Sequence, residues 1–356
     1  MKIAIITLPS RTEHHLPPLT MAYVAAFLEQ RRAIPRIYDC AIDSRWDEID
    51  RRLQTFQPQR IIIAGEDADE IEQGVSRLHP TYADILPLRA RRNGSDAFTA
   101  VNSILAWFDG TTMAPSPTTD ELPYPARHLL SLERYTLRAT GGEVQTPVVI
   151  GWRWHNQWLM RPPRLVGQEM RALSEEVGIR HILFHEPELT NDETWFNALL
   201  EHLIGAHLHV KWQASVSIER LSSEQIQRLA QAGCEALTFT LSAASEFDSA
   251  NRRAQTRQLI ARIREQGIYT RATVILEPPY EAISRMVDVA ATFGLNDVAF
   301  TLMQNLHVGE EAQQIHDFAR QRYAQRRARQ RLIDRFGSVL GNLLWQLRAE
   351  HLADDE

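Results

Sequence analysis

Short apolar runs alternate with segments of helical spacing along most of this chain. Ile3–Leu8 is nearly unbroken in its apolar character and predicts a buried strand. Leu19–Arg32 places Met21, Val24, Ala25 and Leu28 on one helical face. Arg36–Tyr38 then reads as a strand, Trp46–Phe56 as an amphipathic helix and Arg60–Ala64 as a third strand. Asp69–Leu78 predicts a helix and Ala83–Leu88 a short strand. Strands separated by helices of this length indicate a parallel, doubly wound sheet.

Gly110–Pro125 breaks this pattern with Pro115, Pro117, Pro123 and Pro125 among Thr, Ser and Asp, the composition of a linker. A second alternating run follows. Its predicted strands are Val148–Gly151, His181–Phe184, Val210–Ser215, Ala236–Leu241, Thr270–Leu276 and Asp297–Leu302. Helices are predicted over Leu165–Val177, Glu193–Ile204, Ser223–Ala232, Gln255–Gln266 and Ala282–Phe293, with Gly178, Gly233, Gly267 and Gly294 where they should stop. Six consecutive units suggest a full or partial barrel, and the partial form is preferred; function is expected at its C-terminal strand ends. Residues 308–350 read as wholly helical, with Phe318, Tyr323, Leu332, Ile333, Phe336, Leu340, Leu343 and Leu344 on a discontinuous apolar face.

Composition narrows the class. The 356 residues suffice for two domains, and 44% hydrophobic with 24% charged residues fits a globular protein. No apolar run reaches the roughly 20 residues of a membrane span. Lys2–Ile6 enters a strand directly, without the layout of a signal peptide, so a cytoplasmic location is expected. A net charge of −6 gives no basic field for nucleic acid. Arginine supplies nearly all the positive charge, since Lys2 and Lys211 are the only lysines. Cys40 and Cys234 are the only cysteines, too few for a Cys-rich zinc or iron–sulfur site.

Candidate chemistry is sparse. Trp152, Trp154 and Trp158 crowd into Gly151–Leu159, either as a remodelled pocket or as ordinary loop and core packing. His155, Asn156, His181, His185 and Glu186 could be drawn toward a metal. Yet His181 and His185, on one strand, would lie roughly 13 Å apart, and solvated or hydrogen-bonded histidines are the simpler account. Glu186 and Glu188 end the second barrel strand, where paired carboxylates could act as acid and base or simply form a polar loop. The arginine run Arg320–Arg331 reads as a solvated helix face or as a site for phosphate or an acidic partner.

Several motifs in order resemble the cobalamin-binding branch of the radical S-adenosylmethionine (radical SAM) family. Pro17-Pro18-Leu19-Thr20-Met21-Ala22-Tyr23 is similar to its P-P-x-G-x-x-Y helix entry, and Tyr38-Asp39-Cys40 to the end of its second strand. Leu122-Pro123-Tyr124-Pro125-Ala126-Arg127 matches its L-P-x-P-A-R/W entry to the catalytic domain. Ile182–Glu186 with Thr190 and Trp195, and Ala232-Gly233-Cys234, also resemble family segments. The departures fall at cofactor contacts. The family's cluster loop reads G-C-P-Y-x-C-x-F-C; here Trp152, Asn156 and Leu159 stand at its three cysteine positions. An iron–sulfur cluster needs thiolates, so no [4Fe–4S] cluster is expected. Ser242 replaces the acid that approaches the ribose of S-adenosylmethionine, and Glu277–Glu281 keeps a proline and the last acid of G-x-P-x-E but not its glycine. The resemblance thus implies a degenerate cofactor-site set of Trp152, Asn156, Leu159, Glu186, Ser242 and Glu281. Binding of S-adenosylmethionine and cobalamin becomes an open question.

The expected architecture is α/β. It comprises a Rossmann-like domain of cobalamin-binding type over residues 1–110, a Pro-rich linker over 111–145, a (β/α)6 partial TIM barrel of radical SAM type over 146–305 and a helical extension over 306–356. The expected function is that of a non-catalytic pseudoenzyme serving as a binding or scaffolding partner, with an active radical SAM homologue or a pathway enzyme as its partner. The alternative is a cluster-independent S-adenosylmethionine- or cobalamin-binding, methyltransferase-like enzyme. An unrelated metal-dependent barrel enzyme is disfavoured because no ligand set stands out.

Overall fold

The computed structural model describes residues 1–10, 16–43, 46–108, 110, 122–139, 142–154, 157–184, 186–241, 249–276, 279–302 and 310–353. The chain forms two compact units, Met1–Ala214 and Ser215–Glu356. It is α/β with parallel sheets, as its alternating pattern predicts.

In the first unit, β1 (Lys2–Thr7), β2 (Ile34–Asp39), β3 (Arg60–Gly65) and β4 (Ile85–Arg89) form a parallel sheet in the order β2-β1-β3-β4. Helices α1 (Leu19–Gln30), α2 (Trp46–Phe56), α3 (Ala68–Leu78) and α4 (Ala97–Phe108) accompany it. Alternate β1 residues serve two cores. Ile3 and Ile5 pack with α1 and α4, while Ala4 and Ile6 join Ile49, Leu53 and Ile71 of α2 and α3. This division follows from the two-residue period of a strand. Asp67 caps α3 by accepting from the backbone N–H groups of Asp69 and Glu70. Helix α4 was absent from the predicted elements, although Phe98, Val101, Ile104 and Leu105 have helical spacing and are buried.

The rest of the first unit contains β5 (Gln145–Val148), a hairpin of β6 (Gly151–Trp154) and β7 (Gln157–Met160), α5 (Pro163–Ala172), β8 (His181–Phe184), α6 (Glu193–Ala206) and β9 (Lys211–Ser215). β8 pairs in parallel with both β5 and β9. Two expectations change here. The paired strand begins three residues earlier than Val148, at Gln145, because Gln145–Val148 are all buried against β8. The segment after Gly151 is a two-stranded antiparallel ribbon rather than a loop.

In the second unit, β10 (Cys234–Leu241), β11 (Tyr269–Leu276) and β12 (Asp297–Leu302) run parallel in that order. They alternate with α7 (Ser223–Gln231), α8 (Ala250–Glu265) and α9 (Tyr280–Thr292). Ser222 and Gln225 form a reciprocal capping box at the start of α7. The helical region predicted beyond residue 308 is α10 (Glu310–Phe336) followed by α11 (Ser338–Ala353). Gly337 separates them at φ +81°, a left-handed conformation that favours glycine.

Candidate functional site

The hairpin at the aligned cluster positions is anchored in the core through Gly151 and Trp152 of β6. Its register pairs Gly151 with Met160, Trp152 with Leu159, Arg153 with Trp158 and Trp154 with Gln157. Trp152 is 1% exposed and meets Tyr23 edge-to-face at 4.9 Å, within a cluster containing Leu19, Ala22, Phe98 and Val149. Trp154 makes a similar contact with Phe98. Among the described residues the buried Trp152 indole N–H has no hydrogen-bond partner, so packing rather than polar pairing places this ring. A Cβ on Gly151 would lie 3.1–3.3 Å from Met160, Leu159 and Pro187, so glycine permits this close packing.

A buried ionic triad fastens the hairpin. Arg127 and Arg161 flank the Glu169 carboxylate at 2.6 and 2.7 Å, and all three residues are less than 8% exposed. Arg127 also donates to the Pro147 carbonyl and Arg161 to that of Val149. Backbone groups of Arg161 bond to the Ile150 carbonyl and the Trp195 indole. Burial pushes the Glu169 pKa up, but the two guanidiniums outweigh it and hold the carboxyl below its ordinary range. Burial likewise raises the Tyr23 hydroxyl. The triad reaches from the linker motif at Arg127 to the residue that follows β7.

A second buried ion pair crosses the C-terminal edge of the four-stranded sheet. Its strand order reverses between β1 and β3, the crevice where doubly wound sheets usually take ligands. Arg92 pairs with Asp39 at the end of β2, and donates to the Leu8 carbonyl beyond β1 and the Leu16 carbonyl. Tyr135 donates to the same carboxylate at 2.8 Å. The remaining space, lined by Leu8, Ser10, Gly65, Glu66 and Arg92 among others, is about 10 Å³. That is close to the room needed by one water, far below the roughly 300–1,000 Å³ of a small-molecule pocket.

Beside this filled crevice lies an open cleft of about 520 Å³, lined by Glu66, Arg89, Arg91, Asp96, Thr99 and Arg153. Arg91 reaches Glu186 at 3.5 Å, and the buried Asn93 donates to that carboxylate at 3.3 Å. Arg153 is carried by β6, whose backbone is tied to the Ser95 carbonyl.

The anticipated site residues divide accordingly. Trp152 and Leu159 come together as cross-strand partners, and Glu186 is engaged by Arg91 and Asn93. Glu281 is exposed in the first turn of α9, in the other unit. Asn156 and Ser242 lie outside the described residues, as do His155 and His185. Cys40 and Cys234 are buried free thiols; burial, with Asp39 alongside, pushes Cys40 up to about 12. Among the described residues no group of three His, Cys, Asp or Glu could hold a metal ion. The chain's two cysteines are fewer than the three thiolates such a cluster takes in the resembled family. No helix among these residues is long and apolar enough to cross a membrane.

The sequence reading did not anticipate the triad or the Arg92–Asp39 pair. A usable signal was Glu169, an acid on the face of α5 that buries Val166 and Met170.

Comparison with solved structures shows that the fold is shared with cobalamin-dependent radical SAM enzymes. A radical S-adenosylmethionine methyltransferase, TsrM, from Kitasatospora setae, solved with cobalamin and a [4Fe–4S] cluster, superposes with a TM-score of 0.61 at 12% identity, over 84% of this chain and 74% of that one. The same enzyme with tryptophan substrate and a SAM analogue gives 0.63 at 11% identity, over 85% and 73%. A cobalamin-dependent S-adenosylmethionine radical enzyme, OxsB, with aqua-cobalamin and S-adenosylmethionine bound gives 0.59 at 11% identity, over 90% of this chain but 55% of that one. No family model and no curated protein matches the chain.

Proposed function

We propose that this protein is a degenerate, cluster-free relative of the cobalamin-dependent radical SAM enzymes that works as a cytoplasmic binding or scaffolding protein. In this reading a Rossmann-like domain is joined by the Pro-rich linker to a partial (β/α)6 barrel and a helical extension. Trp152 carries the proposal. It occupies an aligned thiolate position, yet it is a fully buried core residue opposite Leu159. Neither side chain offers a ligand to iron, and the nearby Arg127–Glu169–Arg161 triad fixes the ribbon. The expected partner is an active radical SAM homologue or a pathway enzyme. The direct test is anaerobic reconstitution with iron and sulfide. The protein should bind no stoichiometric iron and show no charge-transfer absorbance; a bound cluster would overturn the reading.

The 520 Å³ cleft supports a second reading, a cluster-independent enzyme that binds S-adenosylmethionine or cobalamin for polar methyl transfer. Its arginines could pair with a carboxylate or phosphate and its acids with an ammonium group. Calorimetric titration with S-adenosylmethionine and with hydroxocobalamin separates the two, since the scaffolding reading expects heat from neither.

A further inference from the structure

The arginine run of α10 divides into guanidiniums that are well paired and guanidiniums that are not. Arg322 and Arg326 are both held by Asp288 of α9, at 2.7 and 3.0 Å. Arg329 donates to Asn342 of α11 at 2.9 Å. Arg327 is not satisfied in this way. Its side chain is 11% exposed, yet among the described residues its buried Nε and Nη1 make no hydrogen bond. Asp334, itself 57% exposed, stops 3.7 Å from Nη1, beyond hydrogen-bond reach. Buried donors are seldom left unmatched, because the water they lose has to be replaced.

Two more arginines crowd this one. Arg331 lies one turn further along the same face of α10, a spacing at which like charges repel. Arg264, in the last turn of α8, has its Nη1 3.4 Å from where a Cβ on Gly294 would sit, just past the end of α9. Burial, reinforced by Arg331 and Arg264, lowers the Arg327 pKa against the opposing pull of Tyr323 and Asp334. Asp297, which acts on the neighbouring Tyr323, is engaged by Arg271 at 3.1 Å. Three arginines thus face the single acid Asp334, an excess of two positive charges in a chain whose net charge is −6.

We infer that Arg264, Arg327 and Arg331 form a binding site for a small phosphate dianion, free or as the phosphoryl group of an organic monoester. The excess charge matches a dianion, and guanidinium forks match phosphate oxygens with paired N–H donors. A lone carboxylate would neutralise only half of it. Arg264 and Arg331 are exposed on long, flexible stems, so they can turn onto an anion that approaches Arg327 from solvent. The inference goes beyond both readings above, because it concerns the second unit and needs neither S-adenosylmethionine nor cobalamin.

Calorimetric titration of the full chain with sodium phosphate, at ionic strength held constant with sodium chloride, tests it. The wild type should bind one equivalent with a sub-millimolar dissociation constant. The Arg327 Nε–H resonance, identified by its loss in Arg327→Lys, should shift with the same saturation. Arg264→Gln and Arg331→Gln should each weaken binding by ~10-fold or more, with unchanged circular dichroism because both positions are exposed. Arg51→Gln, on α2 of the other unit, should bind as the wild type does. Glycerol 3-phosphate binding more tightly than inorganic phosphate would identify an ester as the ligand, and weaker binding would identify the free ion. Absence of saturation by about 20 mM phosphate, equal affinity for acetate, a fixed Arg327 resonance, or unchanged affinity in both glutamine variants would overturn the inference.

Discussion

Replacing Glu169 with glutamine should be far more damaging than its single-atom change suggests. The carboxylate is 1% exposed, and Arg127 and Arg161 stand 2.6 and 2.7 Å from its two oxygens. An amide of the same shape leaves two buried guanidiniums without a counter-charge. Breaking a buried ion pair from one side typically costs about 3–5 kcal/mol. At roughly 2–4 °C per kcal/mol for a unit of this size, the melting temperature should fall by about 6–20 °C. Differential scanning calorimetry at pH 7 reads this directly. Acid offers a second measurement. The folded pKa of Glu169 lies below its ordinary value. Its contribution is therefore complete above the unfolded carboxyl pKa of about 4.3 and disappears as pH falls through the lower, folded value. Wild type should lose stability relative to Glu169→Gln across that acidic window, so their melting curves converge. Substituting all three residues by apolar side chains of similar volume should cost less than Glu169→Gln alone. A loss below about 1 kcal/mol for Glu169→Gln, or no convergence in acid, would refute the view that the triad fastens the hairpin.

Three further outcomes follow from the geometry. Trp152→Ala should cost about 3–5 kcal/mol in urea titrations, as for other fully buried aromatic side chains, whereas a cost under 1 kcal/mol would mean the ring is not core. Gly74→Ala should destabilise the first unit by about 1–3 kcal/mol, because the new methyl would lie 2.2 Å from the Ile63 Cδ1; a neutral result in the same titration would contradict that packing. Neither Cys40 nor Cys234 should react with Ellman's reagent at pH 8 in the native protein, since both are buried and burial raises both thiols; two equivalents should appear on unfolding, and labelling of the native protein would contradict it.

The repeating frame was legible because each strand and helix carries its own periodicity. β3 is a run of apolar residues, and Met21, Val24 and Leu28 lie one helical turn apart, so local pattern sufficed. The hairpin was not legible from burial periodicity, since Gly151 and Trp152 are both buried before the exposed Arg153. Likeness to a cysteine loop carries no information about which residues pair across a ribbon. The buried ion pairs were not legible. Asp39 and Arg92 are separated by 53 residues, and Arg127 and Glu169 by 42. Nothing local distinguishes those charges from their solvated neighbours, because only folding removes the water around them. The filled crevice was hidden for the same reason.

The register of the ribbon governs what a cysteine graft could achieve. Positions 152 and 159 face each other across two antiparallel strands, where opposed Cα atoms lie about 4.5–5.5 Å apart. Thiols placed there meet the Cα spacing of a disulfide, roughly 4.4–6.8 Å, before they meet any demand of iron. Under oxidising conditions they would staple the ribbon shut instead of offering a tripod of ligands. Building a cysteine ligand loop at these positions would thus take more than three codons. The ribbon would have to open, Trp152 leave the core and the Arg127–Glu169–Arg161 clamp release.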